Sequence, residues 1–310
     1  MPNPDPIAKT IADRLSTLQV AQRLSAWSLI VSFLGDAIGP RGGVVSASTV
    51  QSVMQRLGIG AGAVRTAISR LSADGWIERS REGRNSFYRL SGDVEETVLA
   101  AERRIYAASS LLPSETPRTL LIAPESLPDS TQQALETAGA LQIAPHVAVC
   151  FAPISELPAA LRLPGSTLAE TQTLAPGTAM RDHIAVARQA AEIEALRQAY
   201  QQVSTSLEAQ SPLSPEDAIT LRCLMIHEWR RVALRVLAVP ADLIEPNDPE
   251  PGTRALVAAI YAGLLPASEA WLDANATTPS GPLPPADTRL GRRFRQSRTQ
   301  LASPRDVLHE

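Results

Sequence analysis

The sequence predicts a mostly helical α+β chain of several domains, with helices towards both ends and a small α+β part between them. Three observations carry that expectation. At 310 residues the chain exceeds what one small core needs. Apolar residues make up 44% of it, enough to fill real cores and too many for global disorder. Apolar spacing is helical towards both ends and shortens to β-like runs between Thr119 and Phe151.

Residues 1–20 form a polar lead-in with room for one short helix. From Ala21 to Ala37, residues Leu24, Trp27, Ile30, Val31 and Leu34 fall at helical spacing. Gly39-Pro40-Arg41-Gly42-Gly43 then breaks the chain. Ser48–Arg56 is read as a second helix, with Val50, Val53, Met54 and Leu57 inward. Gly58-Ile59-Gly60 is a tight turn, and Ala61–Ala73 a third helix ended by Asp74-Gly75. Strands Trp76–Ser80 and Ser86–Leu90 flank Arg81-Glu82-Gly83-Arg84, a hairpin signal with glycine in the turn.

Asp93–Leu112 reads as a connector helix, and Pro113 and Pro117 mark a linker. A strand (Thr119–Ala123), a helix (Ser130–Ala138), two strands (Leu141–Ala144, Val147–Phe151) and a short helix near Ile154–Leu161 follow. That order fits a ferredoxin-like unit. Met180–Leu207 reads as one long polar helix. At Ser214-Pro215-Glu216-Asp217 a serine cap, a proline in the first turn and an acid at the capping-box position open a helix to about Val236. Shorter helices are expected at Gly252–Leu264 and Ala267–Ala274. Beyond Asn275 the chain is rich in Pro, Gly, Ser, Thr and Arg, and a disordered tail is expected.

Net charge is −3, so contact with nucleic acid needs a local basic patch. One exists. From Gly60 to Leu90 six arginines face only Asp74, Glu78 and Glu82. In the third helix Val64, Ala67, Ile68 and Leu71 make one apolar stripe, while Ala63, Arg65, Thr66, Ser69, Arg70 and Ala73 lie opposite. A helix packed on one side, with small and arginine side chains on the other, fits a major groove. Candidate DNA contacts are Arg65, Thr66, Ser69 and Arg70 on the helix, with Arg79, Arg81, Arg84 and Asn85 on the hairpin. Such modules also serve protein–protein contacts, and arginines on a helix face are often merely solvated. The turn, the small exposed face and the basic hairpin together favour double-stranded DNA.

Catalysis is not expected. His227-Glu228 is not the HExxH zinc motif, because Arg231 stands where the second histidine belongs. No GxSxG elbow or phosphate-cradling glycine loop occurs. Cys150 and Cys223 sit in apolar runs and read as buried free thiols, without metal or redox spacing. No secretory h-region and no apolar run of membrane-spanning length is expected, which makes the reading a cytoplasmic protein without membrane contact.

Several ordered runs resemble the PaaX family of phenylacetic-acid degradation repressors. They are Leu34-Gly35-Asp36, Pro40-Arg41-Gly42-Gly43, Val64 to Leu71, Asp74-Gly75-Trp76 and Gly83 to Leu90. Further on, Leu224 to Arg231, Leu234-Arg235 and Val239-Pro240-Ala241 resemble the family's C-terminal signature. The resemblance covers about residues 25–265. It implies a homodimeric repressor on operator DNA, released by phenylacetyl-coenzyme A or a related acyl-CoA thioester, with no cofactor. Two stretches depart from the family pattern, Ala107 to Pro113 and Glu245 to Gly252, where members usually carry tryptophan.

Arg222, His227, Arg230 and Arg231 share one helix and are the candidate effector residues, able to hold coenzyme A phosphates or an acyl carbonyl. The plainer alternative pairs Glu228 with Arg231 and packs His227 and Trp229 into an interface. A winged-helix regulator answering to a non-CoA ligand, or a non-catalytic interaction scaffold, are the competing functions. The domain reading is a winged helix-turn-helix at 20–92, a connector at 93–115, a ferredoxin-like domain at 116–175, a helical effector and dimerisation domain at 176–274, and a disordered tail at 275–310.

Overall fold

Serine caps and left-handed glycines punctuate the first third of the chain. The computed structural model describes residues 6–21, 24–209 and 213–295. Helix α1 (Pro6–Val20) is amphipathic and buries Ile7, Ile11 and Leu18. Helix α2 (Ala26–Phe33) starts at Ser25 and runs into a π turn (Leu34–Ile38) and a 3-10 turn (Gly39–Arg41). Gly42 and Gly43 follow at φ +82° and +76°, a backbone that favours glycine. Strand β1 (Val45–Ser46) leads into α3 (Ala47–Arg56), with Ser46 Oγ accepting the Thr49 N–H at 3.3 Å.

Helix α3 ends in a Schellman motif. The Gly58 N–H donates to Gln55 O and the Ile59 N–H to Met54 O, with Gly58 left-handed. Helix α4 (Ala61–Ala73) ends the same way through Gly75 and Trp76. Strands β2 (Ile77–Glu82) and β3 (Asn85–Leu90) are each longer at the turn than the sequence suggests, leaving a two-residue loop of Gly83 and Arg84. Strand β1 joins them in the order β1-β3-β2, antiparallel throughout. Helix α5 (Glu95–Ile105) follows, shorter than the expected connector.

Strand β4 (Arg118–Ile122), helix α6 (Gln132–Thr137), strands β5 (Leu141–Ala144) and β6 (Val147–Cys150), two 3-10 turns and strand β7 (Thr167–Thr171) come next. They form an antiparallel sheet in the order β5-β6-β4-β7. One apolar cluster holds Leu141, Val149, Phe151, Met180 and Ile184, and a second holds Leu121, Ala148, Cys150, Leu135 and Leu161. The expected long helix is two, α7 (Thr178–Ala187) and α8 (Ala190–Glu208), because Gln189 turns left-handed at φ +57° between them. Arg188 next to that break is fully buried against Asp248 and Glu250.

Helix α9 (Pro215–Ala233) opens as its cap signal predicts, with Ser214 Oγ accepting the Asp217 N–H at 3.0 Å. The two short helices expected near the end are one, α10 (Pro249–Asn275), which continues through Pro266. By length and composition α10 is apolar enough to cross a membrane, which corrects the expectation that no run reaches that length. Here its Val257, Ile260, Tyr261 and Leu264 lie buried in a core with Trp229. The expected disordered tail is ordered as far as residue 295. It forms the two-residue strands β8 (Thr277–Thr278) and β9 (Gly281–Pro282) and helix α11 (Thr288–Arg292). Leu283 is buried, and Arg289 and Arg293 find carbonyl and carboxylate partners, which low apolar content concealed. Residues 296–310 lie outside the described residues.

Two compact units result. One takes in the described residues up to 108 together with 195–234 and 253–295. The other holds 109–194 and 235–252. The sequence reading set 176–274 apart as its own domain. Instead, Ile219, Cys223, Leu224, Trp271 and Leu272 share one buried core with Phe33, Val50, Met54 and Leu71.

Candidate nucleic-acid interface

Helix α4 buries Val64, Ala67 and Leu71 and leaves its other face in solvent. Arg65, Thr66, Ser69 and Arg70 are all exposed, and so are Arg79, Arg81, Arg84 and Asn85 on the hairpin. Thr66 Oγ1 donates back to Gly62 O at 3.1 Å. Arg70 pairs with Asp74 at 3.6 Å and Arg89 with Glu78 at 3.5 Å, both well exposed. Such pairs contribute at most about 1 kcal/mol and yield readily to a stronger anion. Arg79 donates to Ser86 Oγ at 2.7 Å, which holds it across the hairpin. Arg65, Arg81 and Arg84 have no carboxylate partner among the described residues. Trp27 and Trp76 meet edge to face at 5.0 Å and tie α2 to the base of the hairpin.

The four residues expected to meet an effector are placed very differently. Arg222 is fully buried. Its Nε donates to Asp36 Oδ2 at 2.7 Å, its Nη1 to Glu269 at 2.6 Å, and its Nη2 to Tyr261 Oη at 3.1 Å. His227 is also fully buried, its Nδ1 3.4 Å from Ser32 Oγ. Arg230 and Arg231 are half-buried, and Arg230 donates to Ser28 Oγ on α2 at 2.7 Å. Glu228 does take part in an ion pair, with Arg14, and also accepts from Tyr200 Oη at 2.6 Å. Trp229 donates from Nε1 to Ile105 O at 2.8 Å.

Asp36 was missed by the sequence reading as a site residue. Its carboxylate accepts from Tyr106 at 2.6 Å, Tyr261 at 2.8 Å, Arg222 at 2.7 Å and Arg293 at 2.8 Å. Burial alone pushes this carboxyl up, but the Arg222 and Arg293 charges and the two tyrosine hydroxyls hold it below its ordinary value. A lone acid between Leu34 and Ile38 on an apolar helix was the available signal: it needs a buried cation. Burial also pushes the Cys150 thiol up to about 11, and both cysteines are free and buried.

The family described as PaaX-like protein matches residues 25–94, and the PaaX-like protein C-terminal domain matches residues 185–274. The transcriptional repressor PaaX of Escherichia coli strain K12 is 30% identical over 302 residues, covering 87% of this chain and 90% of that protein. Among solved structures, an uncharacterized protein from Mycobacterium tuberculosis aligns with a TM-score of 0.47 and 16% identity, over 79% of this chain and 98% of that one. The class is therefore that of transcriptional regulators, not of enzymes. Within it, the chain belongs to the PaaX-like family.

Proposed function

We propose that this transcriptional repressor binds double-stranded operator DNA through a winged helix-turn-helix, with α4 in the major groove and the β2–β3 hairpin as the wing. The observation that carries the reading is the exposed face of α4 and the hairpin, where Arg65, Arg81 and Arg84 have no carboxylate partner. Arg65, Thr66, Ser69 and Arg70 take the base edges and nearby phosphates, and Arg79, Arg81, Arg84 and Asn85 take the backbone. The middle sheet is read as ferredoxin-like, because its four strands, taken in chain order, lie as 2-3-1-4 with every neighbour antiparallel.

An aryl-CoA thioester such as phenylacetyl-CoA is proposed as the effector, acting on a cytoplasmic homodimer. Of the four candidate residues, Arg222 and His227 are fully buried while Arg230 and Arg231 keep part of their surface in solvent, so these two are the proposed contacts. Because Arg230 already holds Ser28 on α2, an anion drawing on its guanidinium acts directly on the first helix of the DNA-binding head. A gel shift with the promoter beside the protein's own gene, with and without CoA thioesters, tests both parts. A retarded band that phenylacetyl-CoA abolishes is expected. Retardation that no thioester relieves rejects the effector, and no retardation at all rejects the DNA reading.

A further inference from the structure

Residues 276–295 follow the last residue matched by the family domains and lie along the turn between α2 and β1. The Asp287 N–H donates to Pro40 O at 2.7 Å, and Arg289 Nη2 to Gly39 O at 2.9 Å. Arg293 Nη1 reaches both Asp36 O and Asp36 Oδ1 at 2.8 Å. In return Arg41 Nε donates to Pro284 O at 2.5 Å, and Pro284 sits so close to Gly42 that a Cβ there would come within 2.9 Å of its ring. Phe294 is left-handed at φ +60°, which is uncommon outside glycine, and its ring is held by Tyr106 at 5.3 Å and Tyr261 at 5.6 Å. This strap is therefore specifically docked.

What it grips is irregular backbone: a π turn, a 3-10 turn and two left-handed glycines in succession. On one side the turn continues α2, which packs on α4. On the other it feeds β1, which pairs with β3 of the hairpin. Residues 35–43 thus join an element packed on α4 to a strand paired with the hairpin, beside the direct contact of α4 with β2. The grooves of a duplex have fixed spacing, so a protein reading with helix and hairpin together gains from having that relation set beforehand.

We propose that residues 276–295, anchored by Arg293 on Asp36, are a positioning strap for sequence-specific DNA reading. The strap touches no DNA itself. This rests on the DNA-binding reading above. Fluorescence anisotropy on the full chain tests it, with one duplex from the promoter beside its own gene and one scrambled duplex of equal length. Arg293→Ala is expected to weaken promoter binding about tenfold while scrambled-duplex binding stays within about twofold, since the basic surface is intact. Arg293→Lys, which keeps a cation near Asp36, recovers part of the loss. Arg289→Ala, at an exposed side chain, is expected to cost about threefold on the promoter duplex alone.

A folded Arg293→Ala variant with the wild-type ratio of promoter to scrambled affinity overturns the strap. Should that variant fail to fold, Arg289→Ala decides: a reduced ratio supports the strap and an unchanged ratio overturns it. A wild-type chain that does not distinguish the duplexes overturns the DNA reading and the strap together. Variants that match a discriminating wild type overturn the strap alone.

Discussion

Helices α4 and α9 both carry arginines beside small and apolar residues, and they use them in opposite ways. On α4, Arg65 and Arg70 stand in solvent, Arg70 with 76% of its side chain exposed. On α9, Arg222 is wholly enclosed and spends its donors on Asp36, Glu269, Ser268 and Tyr261. The side chain is the same, so the difference lies in where its partners come from. Asp36 and Glu269 are 186 and 47 residues away along the chain. An arginine with no acid folded onto it is available to phosphate, and one with two is part of the core. Charge on a helix face is therefore a weak guide to function until the tertiary partners are known.

The largest break in this contrast comes from Arg222→Met. It leaves the buried Asp36 carboxylate short of one cation and is expected to cost about 3–5 kcal/mol of stability, read from denaturant unfolding. Arg65→Ala lies at the other pole. It is expected to cost about 1–3 kcal/mol of operator binding if Arg65 reads a base edge, with the unfolding midpoint unchanged. Operator affinity equal to wild type removes Arg65 from the reading face.

Arg84→Ala, at the hairpin tip, is a finer probe. It is expected to weaken binding evenly across sequences and to reduce the slope of log K against log salt by about 1. A sequence-dependent loss would instead assign Arg84 to the bases. The last prediction concerns pH. The folded chain holds Asp36 below its ordinary 3.8, so its stabilising contribution is complete above that value and is lost as pH falls below it. Acid unfolding of wild type and of Asp36→Asn, followed side by side, is expected to show that part of the acid limb only in the wild type.

Much of the exposed face of α4 and the hairpin was legible in sequence because its determinants are local. The stripe Val64, Ala67, Leu71, the two glycines that end α3 and α4, and Gly83 in the hairpin all act within a few residues. The Ser214 cap of α9 was legible for the same reason. The strap was not. Arg289 and Arg293 meet partners some 250 residues earlier, and a stretch poor in apolar residues looks disordered when such bonds are invisible. The break at Gln189 has no glycine or proline to announce it.

The sequence by itself determined the order of α3, turn, α4 and hairpin, the family, and which arginines lie opposite an apolar stripe, since hydrophobic period and turn chemistry are short-range properties. Only the tertiary structure decided which arginines remain in solvent and which are consumed. That choice depends on burial and on ion pairs between residues far apart in the chain. It left Arg65, Arg81 and Arg84 facing outward and drew Arg222 and Arg293 in around Asp36.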